Sequence, residues 1–377
     1  MPTVLLTLGR LPKAIALVRA LKAAGCRVLV ADPFRWHVCK PSRDVDRSYR
    51  VTAPNVSQDQ YLSELLSIVK AESVDVILPV SEEALHVAHI KPFLPEGVRL
   101  WSSTPSALQA LHDKLAFVRL ASEQGLPVPE SHAGDQPGAA ELAKRTDFIE
   151  KPAHSCSGIG LRFADRGDTI ATQTAETVVQ QQLSGALISS LSLVADGREL
   201  GTVFYRGRVF AGTVAICFER LAVPASASGW VSDFISRIDH TGFLAFDFIL
   251  GEDGLARAIE CNPRATSGVH FFDPASLGAA LVDPHSVRNV AFTDTDRYQW
   301  AYSTLTETYA AIFKPSEFRR CFGEMLQARD VIWSWRDPLP FLLMTPMSWE
   351  ILWPAMTSGL SLGEATQRDI AWFGAAP

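Results

Sequence analysis

The stretch that decides the fold is residues 243–264, FLAFDFILGEDGLARAIECNPR. It predicts two short apolar strands joined by a Gly-Glu-Asp-Gly turn at 251–254, a composition typical of hairpins. Asp247 lies in the middle of the first strand, where a bare carboxylate is costly. Glu260 and Asn262 are two residues apart at the end of the second strand, so their side chains share one face. The hairpin therefore brings three oxygen-bearing side chains to one end.

This set of side chains has two interpretations. Two carboxylates and an amide oxygen suit Mg²⁺, which favours one or two carboxylates plus nucleotide phosphates over an all-protein cage. Arg264 follows two residues after Asn262 and could bind a phosphate. Alternatively, Asp247 has a structural role, with its hydrogen bonds made within the protein, and Asn-Pro-Arg only marks the end of a strand. The hairpin by itself leaves both interpretations open.

Composition limits the class of protein. A chain of 377 residues can hold two or three domains. A net charge of −6 and the absence of a long Lys/Arg run argue against a nucleic-acid binder. The six cysteines lack metal-binding spacing and are typical of reduced thiols in a cytoplasmic protein. The apolar stretch 339–356 contains three prolines and Glu350, so we do not expect a membrane span.

Residues 1–105 predict a doubly wound, Rossmann-like α/β domain, because apolar strands alternate with helical patterns. The first turn, residues 9–12, reads Gly-Arg-Leu-Pro and lacks a dinucleotide fingerprint, so NAD binding is not expected. The sequence Ser81-Glu82-Glu83 predicts a helix N-terminus, whose exposed acids could merely cap the helix.

The rest of the chain divides into two further regions. Residues 106–291 predict an α+β domain, in which Lys114 lies on a helix over 106–124 and Lys151 ends a strand before a small-residue loop. Antiparallel strands are predicted at 187–195, 200–206 and 208–217. Residues 292–377 hold six of the nine tryptophans and four of the five methionines, which indicates a packed core, an inter-domain face or an apolar ligand surface.

Three motifs follow one another at characteristic distances: DKLAFVRLASEQGLPVP at 113–129, FIEKPAHSCSGIGL at 148–161 and DFILGEDGLARAIECNPR at 247–264. In this order they resemble the ATP-grasp superfamily, particularly its carbamoyl-phosphate-synthase-like and carboxylate–amine ligase members. The resemblance covers about residues 1–290 and implies a Rossmann-like domain before the ATP-grasp domain. The region 292–377 would then pack on the ATP-grasp domain.

The resemblance implies a role for each matching residue. Lys114 and Lys151 would contact the phosphates of ATP, and Arg264, with Lys151, would stabilise the transferred phosphate or the acyl phosphate. The remaining assignments are Ser155, Ser157 and Gly158 in the loop that closes over the phosphates, Gln181 and Gln182 bordering the adenine through backbone groups, and Asp247, Glu260 and Asn262 holding Mg²⁺ or Mn²⁺.

The activity that the resemblance implies is ligation. The enzyme would use ATP to activate a small-molecule carboxylate as an acyl phosphate, which an amine attacks, with release of ADP and phosphate. Acyl transfer to a thiol or alcohol and a non-catalytic nucleotide-binding protein are the alternatives. The resemblance implies a cytoplasmic protein that binds no nucleic acid and has no membrane span. Whether it forms a homodimer is left open.

Several residues depart from the pattern or have two interpretations. The acid that binds ribose in the family is absent, because Gly185 is followed by Ala-Leu-Ile. Cys156 lacks a base placed to activate it, which argues against a covalent nucleophile. Arg220 could approach a substrate carboxylate or form a surface ion pair, and His270 could face the substrate or pack in the core.

Overall fold

The computed structural model of the chain describes residues 1–154, 160–359 and 362–372. The chain begins with a parallel sheet in the order β3-β2-β1-β4-β5, flanked by helices. Its elements are β1 Thr3–Leu6, α1 Pro12–Ala23, β2 Arg27–Asp32, β3 Arg47–Arg50, α2 Gln58–Glu72, β4 Val76–Leu78, α3 Ala84–Val87, a 3₁₀ helix Ala88–Phe93 and β5 Arg99–Leu100. The three central strands β1, β2 and β4 are buried and mostly apolar, as a parallel sheet covered on both faces requires, whereas the edge strand β3 is more exposed.

A small antiparallel sheet in the order β6-β9-β7-β8 follows. Its elements and the helices before it are α4 Pro105–His112, α5 Lys114–Glu123, β6 Ser131–Ala133, α6 Pro137–Arg145, β7 Phe148–Pro152, β8 Arg162–Ala164 and β9 Thr177–Gln181. The single helix predicted over 106–124 is wrong. Asp113 divides it, because its carboxylate accepts hydrogen bonds from the backbone N–H groups of Leu115 and Ala116 at 2.9 and 2.8 Å and starts a new helix there.

The largest sheet has the order β14-β13-β10-β11-β12-β15-β16. Its central elements are β10 Ala186–Ala195, β11 Arg198–Ala211, β12 Val214–Arg220, α7 Ala225–Ile235, β13 Gly242–Leu250, β14 Ala256–Asn262, a 3₁₀ helix Ser267–Phe271 and α8 Pro274–Val282. The predicted break between strands at residue 207 is wrong. β11 continues through Gly207 with a register shift, so the turn comes at residues 212–213 instead.

The C-terminal segment contributes to more than one part of the fold. Its elements are β15 Arg297–Gln299, α9 Ala301–Ala310, α10 Pro315–Gln327, β16 Arg329–Asp330, α11 Leu339–Leu342, α12 Met344–Met347, α13 Trp349–Ser358 and α14 Leu362–Gln367. β15 pairs with β12 and so extends the large sheet. The segments beside the later helices contact loops of the first sheet instead, through an ion pair of 2.7 Å between Arg10 and Asp369 and a hydrogen bond of 2.6 Å from Ser42 to Asp337.

These observations bear on the predicted architecture. The predicted class, α/β and α+β with a Rossmann-like sheet before an ATP-grasp-like unit, is confirmed. Residues 292–377 were expected to pack on the domain predicted for residues 106–291. In the structure they also contact the domain that holds the first sheet. The aromatic side chains do not all enter a core, since Trp335, Trp349 and Trp353 are 86%, 55% and 56% exposed. The domain limits at 105 and 291 stay a prediction.

Three buried histidines predict a loss of stability in mild acid. Burial lowers the pKa of His86 and His240 to about 4 and that of His270 to about 3, so each stays neutral in the folded chain. In the unfolded chain each takes up a proton near pH 6.5. The unfolded state therefore binds more protons between pH 6.5 and 4, and the free energy of unfolding falls as the pH falls, by up to about 3 kcal/mol for each histidine.

Urea denaturation at pH 7, 5.5 and 4.5 measures this slope. The variant His240→Gln should flatten it, because one proton-linked group is removed. His285→Gln is the matched control, since His285 is an exposed residue with a side chain 72% accessible. An equal change of slope in both variants would contradict the assignment to buried histidines.

None of the helices in the described ranges 1–154, 160–359 and 362–372 has the length and apolarity needed to cross a membrane.

Candidate functional site

The hairpin of β13 and β14 forms as the sequence predicts, with a register shift between Asp247 and Phe248. Asp247 lies directly opposite Glu260, and Ala245 lies opposite Asn262, so all three oxygen-bearing side chains share one face. The neighbouring strand β10 places Ser189 opposite Asp247, and its hydroxyl donates a hydrogen bond of 2.5 Å to that carboxylate. The pairing of strands therefore brings the predicted metal ligands together.

The surroundings of Asp247 disfavour its charged form. Burial, and then the adjacent Glu260, raise the pKa of Asp247 to about 6, although the hydrogen bond from Ser189 opposes this. Two neighbouring carboxylates in a partly buried site favour a cation between them. Across the described part of the chain, no group of three or more His, Cys, Asp or Glu side chains could hold a metal. The donor set of two carboxylates and one amide oxygen fits a hard divalent cation that takes its other ligands from phosphate or water.

Lys114 approaches this carboxylate pair from the first turn of α5. Its buried ammonium lies 3.8 Å from Oε1 of Glu260. The backbone N–H of Lys114 donates to the carbonyl oxygen of Ala153 at 3.2 Å, which ties the helix to the segment after β7. The N-cap at Asp113 determines this position, because it starts α5 at Lys114.

Lys151 approaches from the buried strand β7. Its ammonium donates to Oε1 of Gln180 at 3.0 Å and to the carbonyl oxygen of Ile259 at 3.1 Å. Burial lowers the pKa of Lys151 to about 8, against the attraction of Glu260. Gln180, which is 1% exposed, positions this lysine and was missed by the sequence analysis, which considered only Gln181 and Gln182.

Arg264 connects the hairpin with the first sheet. Its Nε donates to Oε1 of Glu82 at 2.6 Å, and its Nη2 donates to the amide oxygen of Asn262 at 3.0 Å. The prediction that Ser81-Glu82-Glu83 forms a helix N-terminus is confirmed, with Glu83 at the N-cap of α3, but the prediction that its acids are exposed is wrong. Glu82 is 1% and Glu83 0% exposed, and Glu83 accepts hydrogen bonds from the backbone N–H groups of Val80 and Ser81.

Glu82 is held in its ionised form. Burial opposes ionisation, but Arg264, His112 and Lys13 outweigh it and lower the pKa of Glu82 to about 2. Its second oxygen, Oε2, lies 4.0 Å from Nε2 of His112, and neither atom has a hydrogen-bond partner within the described residues. Lys13 donates to Ser81 Oγ at 2.9 Å and to the carbonyl oxygen of Ala265 at 2.7 Å. These contacts join the first sheet to the strand exit at Arg264.

A signal for Glu82 is present in the sequence. Glu82 follows the apolar strand β4 and its extension, and ligands of open parallel sheets bind beyond the carboxyl ends of the strands. An acid in that place therefore points to a site as readily as to a helix cap. The ion pair with Arg264 spans 182 residues and is visible only in the folded chain.

The other predicted residues lie elsewhere or are already paired. The backbone N–H groups of Gln181 and Gln182 donate to carbonyl oxygens of Glu130 and Asp147 at 2.9 and 3.0 Å, so these two donors are occupied within the protein. Arg220 forms an exposed ion pair of 2.6 Å with Asp296.

Four residues of the small-residue loop lie outside the described part of the chain: Ser155, Cys156, Ser157 and Gly158. His270, by contrast, is described and is buried against the ring of Phe218, with ring centroids 5.8 Å apart. His270 therefore belongs to the core.

Comparison with known proteins agrees with this arrangement. The family model of the ATP-grasp domain matches residues 111–268, which include Lys114, Lys151 and the hairpin. This part of the chain is an ATP-grasp domain. It is 25% identical over 308 residues to the carbamoyl phosphate synthase large chain of Thermus thermophilus, covering 74% of this chain and 29% of the relative. It is 22% identical over 260 residues to that of Gemmatimonas aurantiaca, covering 62% and 24%. The chain thus spans less than a third of these relatives.

Solved ATP-grasp-like structures share the fold. A complex of biotin carboxylase with β,γ-ATP from Campylobacter jejuni aligns with a TM-score of 0.62 at 14% identity, covering 78% of this chain and 74% of the other. N5-carboxyaminoimidazole synthetase of Staphylococcus aureus with ADP aligns with a TM-score of 0.60 at 16% identity, covering 78% and 79%. At these identities the likeness shows the fold alone.

Proposed function

We propose that this ATP-grasp protein is a ligase that activates a carboxylate as an acyl phosphate and joins it to an amine, forming ADP and phosphate. Small-molecule carboxylate and amine substrates, Mg²⁺ or Mn²⁺ and a cytoplasmic setting belong to the proposal. The observation that carries it is the convergence of four residues at the hairpin: Lys114 from α5, Lys151 from β7, Asp247 from β13 and Glu260 from β14. Two cations beside two carboxylates suit a metal-bound triphosphate.

Each residue has a role in the proposal. Lys114 and Lys151 neutralise phosphate charge, and Asp247, Glu260 and Asn262 hold the metal. Bound there, Mg²⁺ would neutralise charge on the phosphates. Lys151 is fixed by two hydrogen bonds before any ligand binds, so little reorganisation is needed.

Arg264 positions the groups that react. Its Nε is occupied by Glu82 and one Nη by Asn262, which holds the guanidinium in place beside the hairpin. In the proposed reaction a carboxylate oxygen of the substrate attacks the γ-phosphorus, and ADP leaves. The amine nitrogen then attacks the acyl carbon, phosphate leaves and the amine loses a proton. A guanidinium donates hydrogen bonds in a planar fork, which suits the oxygens of both the phosphoryl group and the acyl phosphate.

Isotope transfer tests the proposed function. The protein is incubated with ATP, Mg²⁺ and a panel of ¹⁸O-labelled carboxylic acids, with hydroxylamine as a small amine. We expect acid-dependent release of ADP, a hydroxamate product and ¹⁸O in the phosphate, because an acyl phosphate passes one carboxylate oxygen to phosphate. ADP release without ¹⁸O transfer would contradict an acyl phosphate. Nucleotide binding without ADP release for any acid would favour the non-catalytic alternative.

A further inference from the structure

A cavity of about 720 Å³ lies where the first sheet, the large sheet and the C-terminal helices meet. The first sheet contributes the turn after β1 and Phe34, which follows β2. The large sheet contributes the turn between β11 and β12, and the C-terminal segment contributes α9, α12 and α13. A volume of this size lies in the range of sites that enclose a small molecule.

The wall of this cavity is mostly apolar. The side chains that line it include Val214, Ile216, Met344, Met347, Ile351 and Leu352. Methionine and branched aliphatic side chains adapt to an apolar body and offer few hydrogen bonds. The wall therefore favours a ligand with a bulky hydrocarbon or aromatic portion.

Arg10, a cationic side chain in the cavity wall, is already paired with carboxylates of the protein. The guanidinium of Arg10 forms ion pairs of 2.7 Å with both Asp32 and Asp369, and its Cζ lies 3.4 Å from the centre of the Phe34 ring. Its side chain is 1% exposed, so it offers little to a second anion. The indole nitrogen of Trp300, another lining residue, is buried with no acceptor in the described residues. The charged end of a ligand must therefore lie outside the cavity.

The cavity and the candidate functional site share one connection through the first helix. Pro12 lines the cavity, and the next residue, Lys13, donates to the carbonyl oxygen of Ala265 directly after Arg264. The side chain of Lys13 thus links the cavity wall to the strand exit that carries Arg264.

We propose that this cavity holds the body of the carboxylate substrate, and that the substrate is a carboxylic acid with a large apolar portion. The proposal rests on the proposed function, since it places the acid's carboxylate beside Arg264 and its apolar portion among the side chains of α12, α13 and β12. Such an acid is activated while its body fills the cavity and excludes water that would hydrolyse the acyl phosphate.

A chain-length series tests the class of substrate. Butanoate, hexanoate, octanoate and decanoate are compared as substrates with ATP, Mg²⁺ and saturating hydroxylamine, which attacks the acyl phosphate and yields hydroxamate and phosphate. We expect kcat/KM to rise about fourfold for each methylene buried, until the cavity is full. A series without dependence on length, or a preference for small polar acids, would overturn the proposal.

A substitution that fills the cavity tests whether the apolar portion of the acid binds there. Ser303 on α9 lines the cavity, and Thr306 on the same helix is exposed to solvent. We expect Ser303→Trp to lower kcat/KM for decanoate at least tenfold while butanoate changes less than twofold. The matched control Thr306→Trp should leave both unchanged. Equal effects of Ser303→Trp on both acids, with the fold intact by circular dichroism, would overturn the assignment.

Two further measurements separate this proposal from the proposed function. Calorimetric binding of decanoate without ATP should be weakened by Ser303→Trp even if no acid supports ADP release, so the cavity can be tested when the ligase activity fails. Conversely, ADP release with small polar acids and no binding of decanoate would retain the ligase and overturn the cavity. The second measurement compares alkylamines of increasing length, with acetate as the acid. If kcat/KM depends on the length of the amine but not on that of the acid, the proposal that the cavity holds the acid is overturned.

Discussion

Replacing Glu260 by Gln is expected to lower acid-dependent ADP release by about a hundredfold, or roughly 3 kcal/mol of activation free energy. Gln keeps the size of the side chain but removes one of two carboxylates from a site with few anionic ligands. The ammonium of Lys114, 3.8 Å from Oε1 of Glu260, also loses this ion pair. The Mg²⁺ concentration for half-maximal activity should rise as well, which a loss of phosphate contacts alone would not produce.

The fold should tolerate this change. Glu260 is one of the groups that raise the pKa of Asp247, so its neutralisation relieves repulsion between adjacent carboxylates. Glu252→Gln is the matched control, because Glu252 lies exposed in the turn of the same hairpin. Activity of Glu260→Gln within twofold of the unchanged protein would contradict the metal assignment, provided that Glu252→Gln is also active.

Replacing Arg264 by Met is expected to abolish ADP release and to lower the free energy of unfolding by about 3–5 kcal/mol, the usual cost of leaving one member of a buried ion pair alone. Glu82 is 1% exposed, and Arg264 is the first of the cations that keep it ionised. Without the guanidinium the buried carboxylate must take up a proton or remain uncompensated. Urea denaturation measures the loss of stability, and ADP release measures the loss of activity.

A double variant separates the two effects. Glu82→Gln combined with Arg264→Met removes the uncompensated charge and should recover most of the stability, while activity stays lost. Arg257→Met is the matched control, because Arg257 lies on β14, the strand that precedes Arg264, and pairs with Asp253 at the surface, where an ion pair contributes at most about 1 kcal/mol. Full activity in the double variant would show that Arg264 is structural only.

Much of the site could be predicted because its information is local. The hairpin that brings Asp247 toward Glu260 and Asn262 follows from two apolar strands and a four-residue turn, all contained within 22 residues of sequence. The pairing of Asp247 with Glu260 itself depends on a register shift between Asp247 and Phe248, which the sequence did not predict. The two lysines were predicted from their helix and strand. Their distance from the carboxylates was not, since it depends on how α5 and β7 pack on the hairpin.

The sequence by itself determined the parallel first sheet, the hairpin and the motifs that resemble the ATP-grasp superfamily. The burial of Glu82 and the cavity were decided by the tertiary structure. Each depends on groups far apart in the chain: Glu82 is held by Arg264 across 182 residues, and Arg10 is held by Asp369 across 359. Local propensity cannot distinguish an exposed acid from one that a distant cation keeps ionised inside the protein, because only folding brings the two together.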